Sequence, residues 1–166
     1  MKRIVDRNHP TLRGHAKEVE ASLFGTRKLA KIIKDMREAL DNEDDGVALA
    51  APQIGLPLRI FVVSPRAYSK SDKTSPLVFI NPRITKRSKK ELLVDEGCLS
   101  IRWLYGEVKR STNATVEAYD EEGKRFTRGG GGILAQIFQH EIDHLEGVLF
   151  TDKARNVRDI PPVPKA

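Results

Sequence analysis

The chain has 166 residues, of which 39% are hydrophobic and 31% charged, and its formal net charge is +6. That length fits one domain, spanning residues 1–166, with a core that needs no covalent staples, and the apolar fraction is too high for a disordered chain. A single cysteine, Cys98, excludes an intrachain disulfide and points to a reducing compartment. No apolar run approaches the ~20 residues that a membrane span needs. The basic start, Met1 to Arg7, has no apolar core behind it, so no signal peptide is expected and a cytoplasmic location is favoured. The basic balance suits a polyanionic neighbour such as nucleic acid or a ribosome surface, and equally a solvated basic exterior. The sharpest basic cluster, Lys86-Arg87-Ser88-Lys89-Lys90, lies between two apolar runs and reads as a loop; it has no interleaved aromatic residue, so no specific nucleic-acid site is expected.

Residues 1–25 are broken by Pro10, Gly14 and Gly25 and read as irregular. Leu29, Ile32, Ile33, Met36 and Leu40 then recur at helical spacing, predicting a helix over 26–42 with Thr26 as its N-cap. After a loop at 42–46 the pattern changes to short apolar or alternating runs at 58–64, 77–80, 91–95 and 114–120, which read as strands. Asp120-Glu121-Glu122-Gly123 predicts a hairpin turn into a run around Phe126. Gly129 to Gly132 read as a flexible punctuator. A second helix is expected over 133–146, closed by Gly147, and the tail 154–166 reads as irregular. Strands between two helices make this an α+β chain, with antiparallel or mixed sheets around the C-terminal helix.

The strongest chemical signal is Gln139-His140-Glu141-Ile142-Asp143-His144. Four residues advance a helix by about 400° and about 6 Å, so His140 and His144 leave one face a turn apart and can meet one metal ion. Glu141 sits at the edge of that face, where an H-E-x-x-H site keeps its general base. Ile133 and Ile137 extend the histidine stripe, and Leu134, Phe138 and Leu145 form a neighbouring stripe that can bury. A catalytic metal site needs a third ligand and an open position. Cys98 is the obvious third donor, and Glu146 is the alternative. Two imidazoles and a thiolate suit Fe²⁺, Zn²⁺, Ni²⁺ or Co²⁺ rather than Mg²⁺ or Ca²⁺. Gly46-Val47-Ala48-Leu49-Ala50-Ala51-Pro52-Gln53 is a run of small residues that lets a ligand approach the backbone, and the Gln53 amide can donate to a developing oxyanion.

Taken together, Gly46 to Gln53, Glu96-Gly97-Cys98-Leu99-Ser100 and Gln139 to His144 resemble the three motifs of the peptide deformylase family, in the same order and spacing, over residues 3 to 153. The resemblance implies removal of the formyl group from the N-terminal formyl-methionine of new polypeptides. It implies one divalent metal, Fe²⁺ first, held by Cys98, His140 and His144. It implies Glu141 as proton shuttle, and the Gln53 amide and Leu99 backbone N–H as donors to the formyl oxygen. The substrate would lie as an added strand near Gly46, Val47 and Ala48 and beside Gly97, with its methionine among Val47, Val94, Ile133, Ile137 and His140. Glu96 or Asp143 would orient a ligand histidine. N-formyl-methionyl nascent peptides are then the partners, with a transient ribosome association and a monomer expected. Three departures stand out. Ala48 replaces the second motif glycine. Ile101-Arg102-Trp103-Leu104-Tyr105 replaces the usual proline-containing continuation, with Tyr105 where many members carry arginine. The tail lacks the long C-terminal helix of many bacterial members, so docking through such a helix is not carried over.

Two rivals use the same residues. An HExxH metallopeptidase would need a third ligand after the helix, where only Asp152 and Asp159 are available. A metal-stabilised binding module would have no use for Glu141 or Gln53.

Overall fold

A computed structural model describes residues 2–164. Helix α1 (Arg27–Asp41) starts where expected, because the Thr26 hydroxyl accepts from the Leu29 N–H at 3.3 Å. Its Leu29, Ile33, Met36 and Leu40 are buried, and lysines and arginines fill the outer face. Among the described residues, eight strands form two antiparallel sheets. The larger contains β1 (Ala48–Ala50), β2 (Ile60–Val63), β3 (Val78–Arg87), β6 (Asn113–Tyr119) and β7 (Arg125–Gly131), ordered β1-β2-β3-β6-β7. The smaller contains β4 (Glu91–Gly97), β5 (Leu104–Ser111) and β8 (Arg155–Asp159), ordered β4-β5-β8. Helix α2 (Gly132–Leu145) packs against strands of both sheets.

Period-two alternation places the core. On one face of the large sheet Ile60, Val62, Val78 and Ile80 meet the apolar stripe of α1. On the other, Phe61, Val63 and Phe79 meet Ala135, Phe138, Ile142 and Leu145 of α2. Phe61 and Phe79 stack at 4.5 Å between centroids, and Phe138 lies 5.4 Å from Phe79. Burial on both faces is why β2 reads Ile-Phe-Val-Val, with no polar residue. A third cluster, Leu12, Ile101, Val108, Leu149 and Phe150, joins the small sheet to the N-terminal segment.

The Asp120 turn forms as expected. Its carboxylate accepts from the N–H groups of Glu122 and Lys124, and β6 and β7 pair across it. Lys86 and Arg87 close β3, so the basic cluster is half strand and half turn. Four expectations need correction. The glycine run is not a flexible break: Gly129, Gly130 and Gly131 are the end of β7, paired with β6, and Gly132 opens α2. Leu134 packs closely over Gly130, where a Cβ would lie 2.5 Å from Leu134 Cδ2 and force that side chain to move. The tail is not irregular throughout, because Arg155–Asp159 pairs with β5 as β8. Strand β5 and the short β1 were hidden, the first by its charged residues and the second by its small ones. Residues 1–25 contain two short 3-10 turns, Pro10–Leu12 and Ala21–Leu23.

Gly147 ends α2 at φ 76°, and a Cβ there would lie 2.6 Å from the Arg13 carbonyl oxygen. Gly147→Ala is therefore expected to lower unfolding free energy by more than ~1 kcal/mol, read by urea denaturation, because both the dihedral and the close approach oppose a side chain.

Candidate functional site

Local geometry places the two histidines. Their positions in α2 bring the ring centroids of His140 and His144 to 4.9 Å. Cys98 follows β4 directly, in the connection to β5, and its Sγ lies 3.3 Å from His144 Nε2. One donor atom from each of Cys98, His140 and His144 lies within 4.8 Å of the others. A thiolate and two imidazoles at that separation fit a tetrahedral transition-metal site with one position left open. Glu146 is elsewhere: it receives Arg59 at 2.8 Å and meets His15 at 3.1 Å.

The surrounding charges explain the ring orientation. His140 Nδ1 lies 2.8 Å from Glu96 Oε2, which leaves its other nitrogen facing the cluster. Arg110 grips Glu96 through Nε at 3.0 Å and Nη2 at 2.6 Å, and reaches Asp143 through Nη1 at 2.7 Å. Lys153 completes the chain on Asp143. Burial raises the Glu96 carboxyl, but hydrogen bonds and charge from His140 and Arg110 outweigh it and bring it to about 2. Glu96 therefore answers the choice left open between two carboxylates, and Asp143 serves Arg110 instead. Arg110 carried no sequence signal beyond being one arginine in an alternating run, because its partners are 14 and 33 positions away.

Glu141 is buried, with Oε2 lacking any partner. Burial pushes its carboxyl up to about 7, against the opposing charge of His140. Burial, then the charge of His140, pushes His144 well below its usual value, which favours the neutral, metal-binding ring. His144 Nδ1 is also buried without a partner. Unmet polar atoms of this kind are rare in cores and gather where a ligand or reactant belongs.

Gln53 sits in the 3-10 turn Ala51–Ile54, straight after β1. Its Oε1 accepts from the Ala50 N–H at 2.9 Å, and its amide NH₂ donates to Ser100 Oγ at 3.2 Å and points at Cys98 Sγ at 3.5 Å. The amide is thus aimed at the cluster by a bond to its other end. Gln139 is scaffold: it exchanges two hydrogen bonds with the Ser111 backbone and ties α2 to β5.

A cleft of ≈ 330 Å³ opens over these groups. Gly46, Val47, Ala48, Gln53, Gly97, Cys98, Leu99, Ile133, Ile137, His140 and Glu141 all line it. Val94 does not. It lies three positions before Gly97, opposite Val108, away from the end of β4 that faces the cleft. Arg102, Trp103, Leu104 and Tyr105 form a further wall.

The family model for polypeptide deformylase matches residues 1–159. The peptide deformylase of Thermomicrobium roseum is 39% identical over 163 residues, covering 97% of this chain and 90% of that one. Among solved structures, a peptide deformylase from Legionella pneumophila matches with a TM-score of 0.83 at 38% identity, over 94% of this chain and 87% of that one. The Thermotoga maritima peptide deformylase gives 0.82 at 35% identity, over 93% and 98%. With its three motifs converging on one cleft and its sequence matched almost end to end, the chain belongs to the polypeptide deformylase family.

Proposed function

We propose that Cys98, His140 and His144 hold one divalent metal ion, Fe²⁺ in the cell with Zn²⁺, Ni²⁺ or Co²⁺ as substitutes, and that Glu141 moves the protons of deformylation at this centre. The carrying observation is the donor triad within 4.8 Å beside a buried glutamate whose Oε2 has no partner. A bound ion supplies Lewis acidity toward water and toward the formyl oxygen. The water oxygen bonds to the formyl carbon while Glu141 takes one of its protons, and Glu141 delivers that proton to the methionine nitrogen as the formyl C–N bond breaks; the products are formic acid and a free amine, and the acid loses its remaining proton to solvent as formate. A buried carboxyl beside the donor triad, with one oxygen free of partners, is placed to accept a proton and then to give it up. The Gln53 amide and the Leu99 backbone N–H donate to the formyl oxygen as negative charge gathers on it.

β1 is an edge strand of the large sheet and, among the described residues, pairs only with β2. Its free edge suits an extended peptide, which recognises backbone and so tolerates varied sequences after the first residue. Val47, Ile133, Ile137 and the His140 ring supply apolar surface for the methionine side chain. We further read the chain as one monomeric domain working on nascent peptides in the cytoplasm, with brief ribosome contact through its basic surface. No helix among the described residues is long and apolar enough to cross a membrane.

Anaerobically prepared Fe²⁺ protein is expected to release formate from formyl-Met-Ala-Ser and to leave the acetylated twin intact. Cleavage of internal peptide bonds instead would favour a metallopeptidase. Cys98→Ser is expected to weaken metal binding by more than roughly 100-fold in a chelator competition, beyond the ~10–100-fold seen when only an orienting partner is lost.

A further inference from the structure

The cleft wall made by Arg102, Trp103, Leu104 and Tyr105 is held from outside by the C-terminal strand. β8 pairs antiparallel with the start of β5, matching Leu104 to Asp159 and Tyr105 to Arg158. One residue further, the Ile160 N–H donates to the Trp103 carbonyl at 2.9 Å. The Arg158 guanidinium reaches Asp95 at 3.0 Å, and Asp95 also lines the cleft. The approach is close because residue 106 is glycine: a Cβ there would lie 2.8 Å from Ala154 Cβ and 3.2 Å from Val157 Cγ2.

Core burial does not account for this strand. Residues 155–164 are all exposed, and the Arg158–Asp95 pair is too open to add much stability. What the strand does contact is the backbone of three residues of the wall. That wall follows the loop carrying Cys98, and Tyr105 lies against Gly97, where a Cβ would sit 2.7 Å from its ring. On the far side Arg102 lies over the Trp103 ring at 4.4 Å and binds Asp45 at 2.6 Å and Glu43 at 2.8 Å, spanning to the loop that enters β1. Arg102 is the one lysine or arginine lining the cleft among the described residues, and both carboxylates occupy it. The wall therefore offers aromatic and aliphatic surface to whatever follows the methionine, rather than a free cation.

We propose that the C-terminal strand is a positioning element that holds the Trp103–Tyr105 wall against the peptide residues after formyl-methionine, so that it sets affinity for extended, apolar peptides. This rests on the deformylase reading. The reacting groups are anchored mainly through α2, the Arg110–Glu96 pair and the Gln53 turn, none of which β8 touches. Loss of the strand should weaken binding of the ground and transition states alike, which raises KM and spares kcat.

The test uses Ile160→Pro, which deletes the N–H bonded to Trp103, together with Arg158→Ala and a chain ending at Ala154. Two substrates are compared, formyl-methioninamide and formyl-Met-Leu-Phe. For formyl-Met-Leu-Phe, KM is expected to rise about 5- to 20-fold in Ile160→Pro and in the shortened chain, and about two- to three-fold in Arg158→Ala, with kcat within about two-fold, while formyl-methioninamide changes by less than about two-fold. Arg158→Lys should restore the tripeptide KM of the alanine variant. Equal losses on both substrates, a fall confined to kcat, or no change in any variant would overturn the proposal. A wild-type protein that releases formate from neither substrate would instead overturn the deformylase reading itself.

Discussion

Glu141→Gln is expected to lower formate release by about 10²- to 10⁴-fold while the metal content of the purified protein stays unchanged. The substitution keeps the shape of the side chain and its place beside the donor triad, but an amide cannot take up a proton from water. Formate assay and metal analysis on one preparation separate this outcome from simple loss of the ion; unchanged turnover would remove Glu141 from the chemistry. The same variant carries a stability signature in metal-free protein. The Glu141 carboxyl is raised to about 7 in the folded chain from an ordinary 4.5, so the folded state binds the extra proton between those values. Stability of the metal-free wild type should fall as pH rises from about 4.5 to 7, because ionisation in the buried site is unfavourable. Glu141→Gln should show less of that fall. Catalysis and apo stability thus move in opposite directions at neutral pH, a pattern that fits a group kept for function.

Arg110→Met should be the most destabilising single change near the site. Arg110 and Glu96 are almost fully buried, and the guanidinium serves both Glu96 and Asp143. Removing it leaves the buried Glu96 carboxylate without its guanidinium, while Asp143 keeps only Lys153, at a cost of about 3–5 kcal/mol. In a chain of this size that corresponds to a drop in Tm of roughly 6–20 °C by calorimetry. Acid sensitivity should change too. Glu96 is lowered to about 2 from 4.5, so its stabilising contribution is complete above about 4.5 and disappears as pH falls toward 2. Without Arg110 the carboxyl moves back up and acid unfolding should begin at higher pH. Glu96 also fixes the His140 ring, so metal affinity should fall by about 10- to 100-fold. Adding Glu96→Gln should recover part of the stability, because the stranded charge is removed, without recovering the metal affinity.

The two predictions fall on residues of different legibility. Glu141 could be found from its neighbours, since a helix puts residues four apart on one face whatever surrounds it. The same local rules placed α1 from Leu29, Ile33, Met36 and Leu40, its start at Thr26, and the β6–β7 turn at Asp120 to Gly123. The third donor was narrowed to Cys98 and Glu146 by residue type, and to Cys98 by resemblance to a family.

Sequence alone determined the helices, the histidine face and the candidate chemistry, because each is set by contacts within a few residues. Tertiary structure decided that Glu96 rather than Asp143 holds His140, that Arg110 binds both, and that Val94 stays off the cleft. It also turned four glycines into a strand end and a helix start, and made a strand of the polar run Arg155–Asp159. Those outcomes rest on backbone ladders and charge pairs between distant segments. Neither leaves a periodic trace in composition, since a ladder is made by main-chain groups that every residue carries and an ion pair needs only one residue at each end.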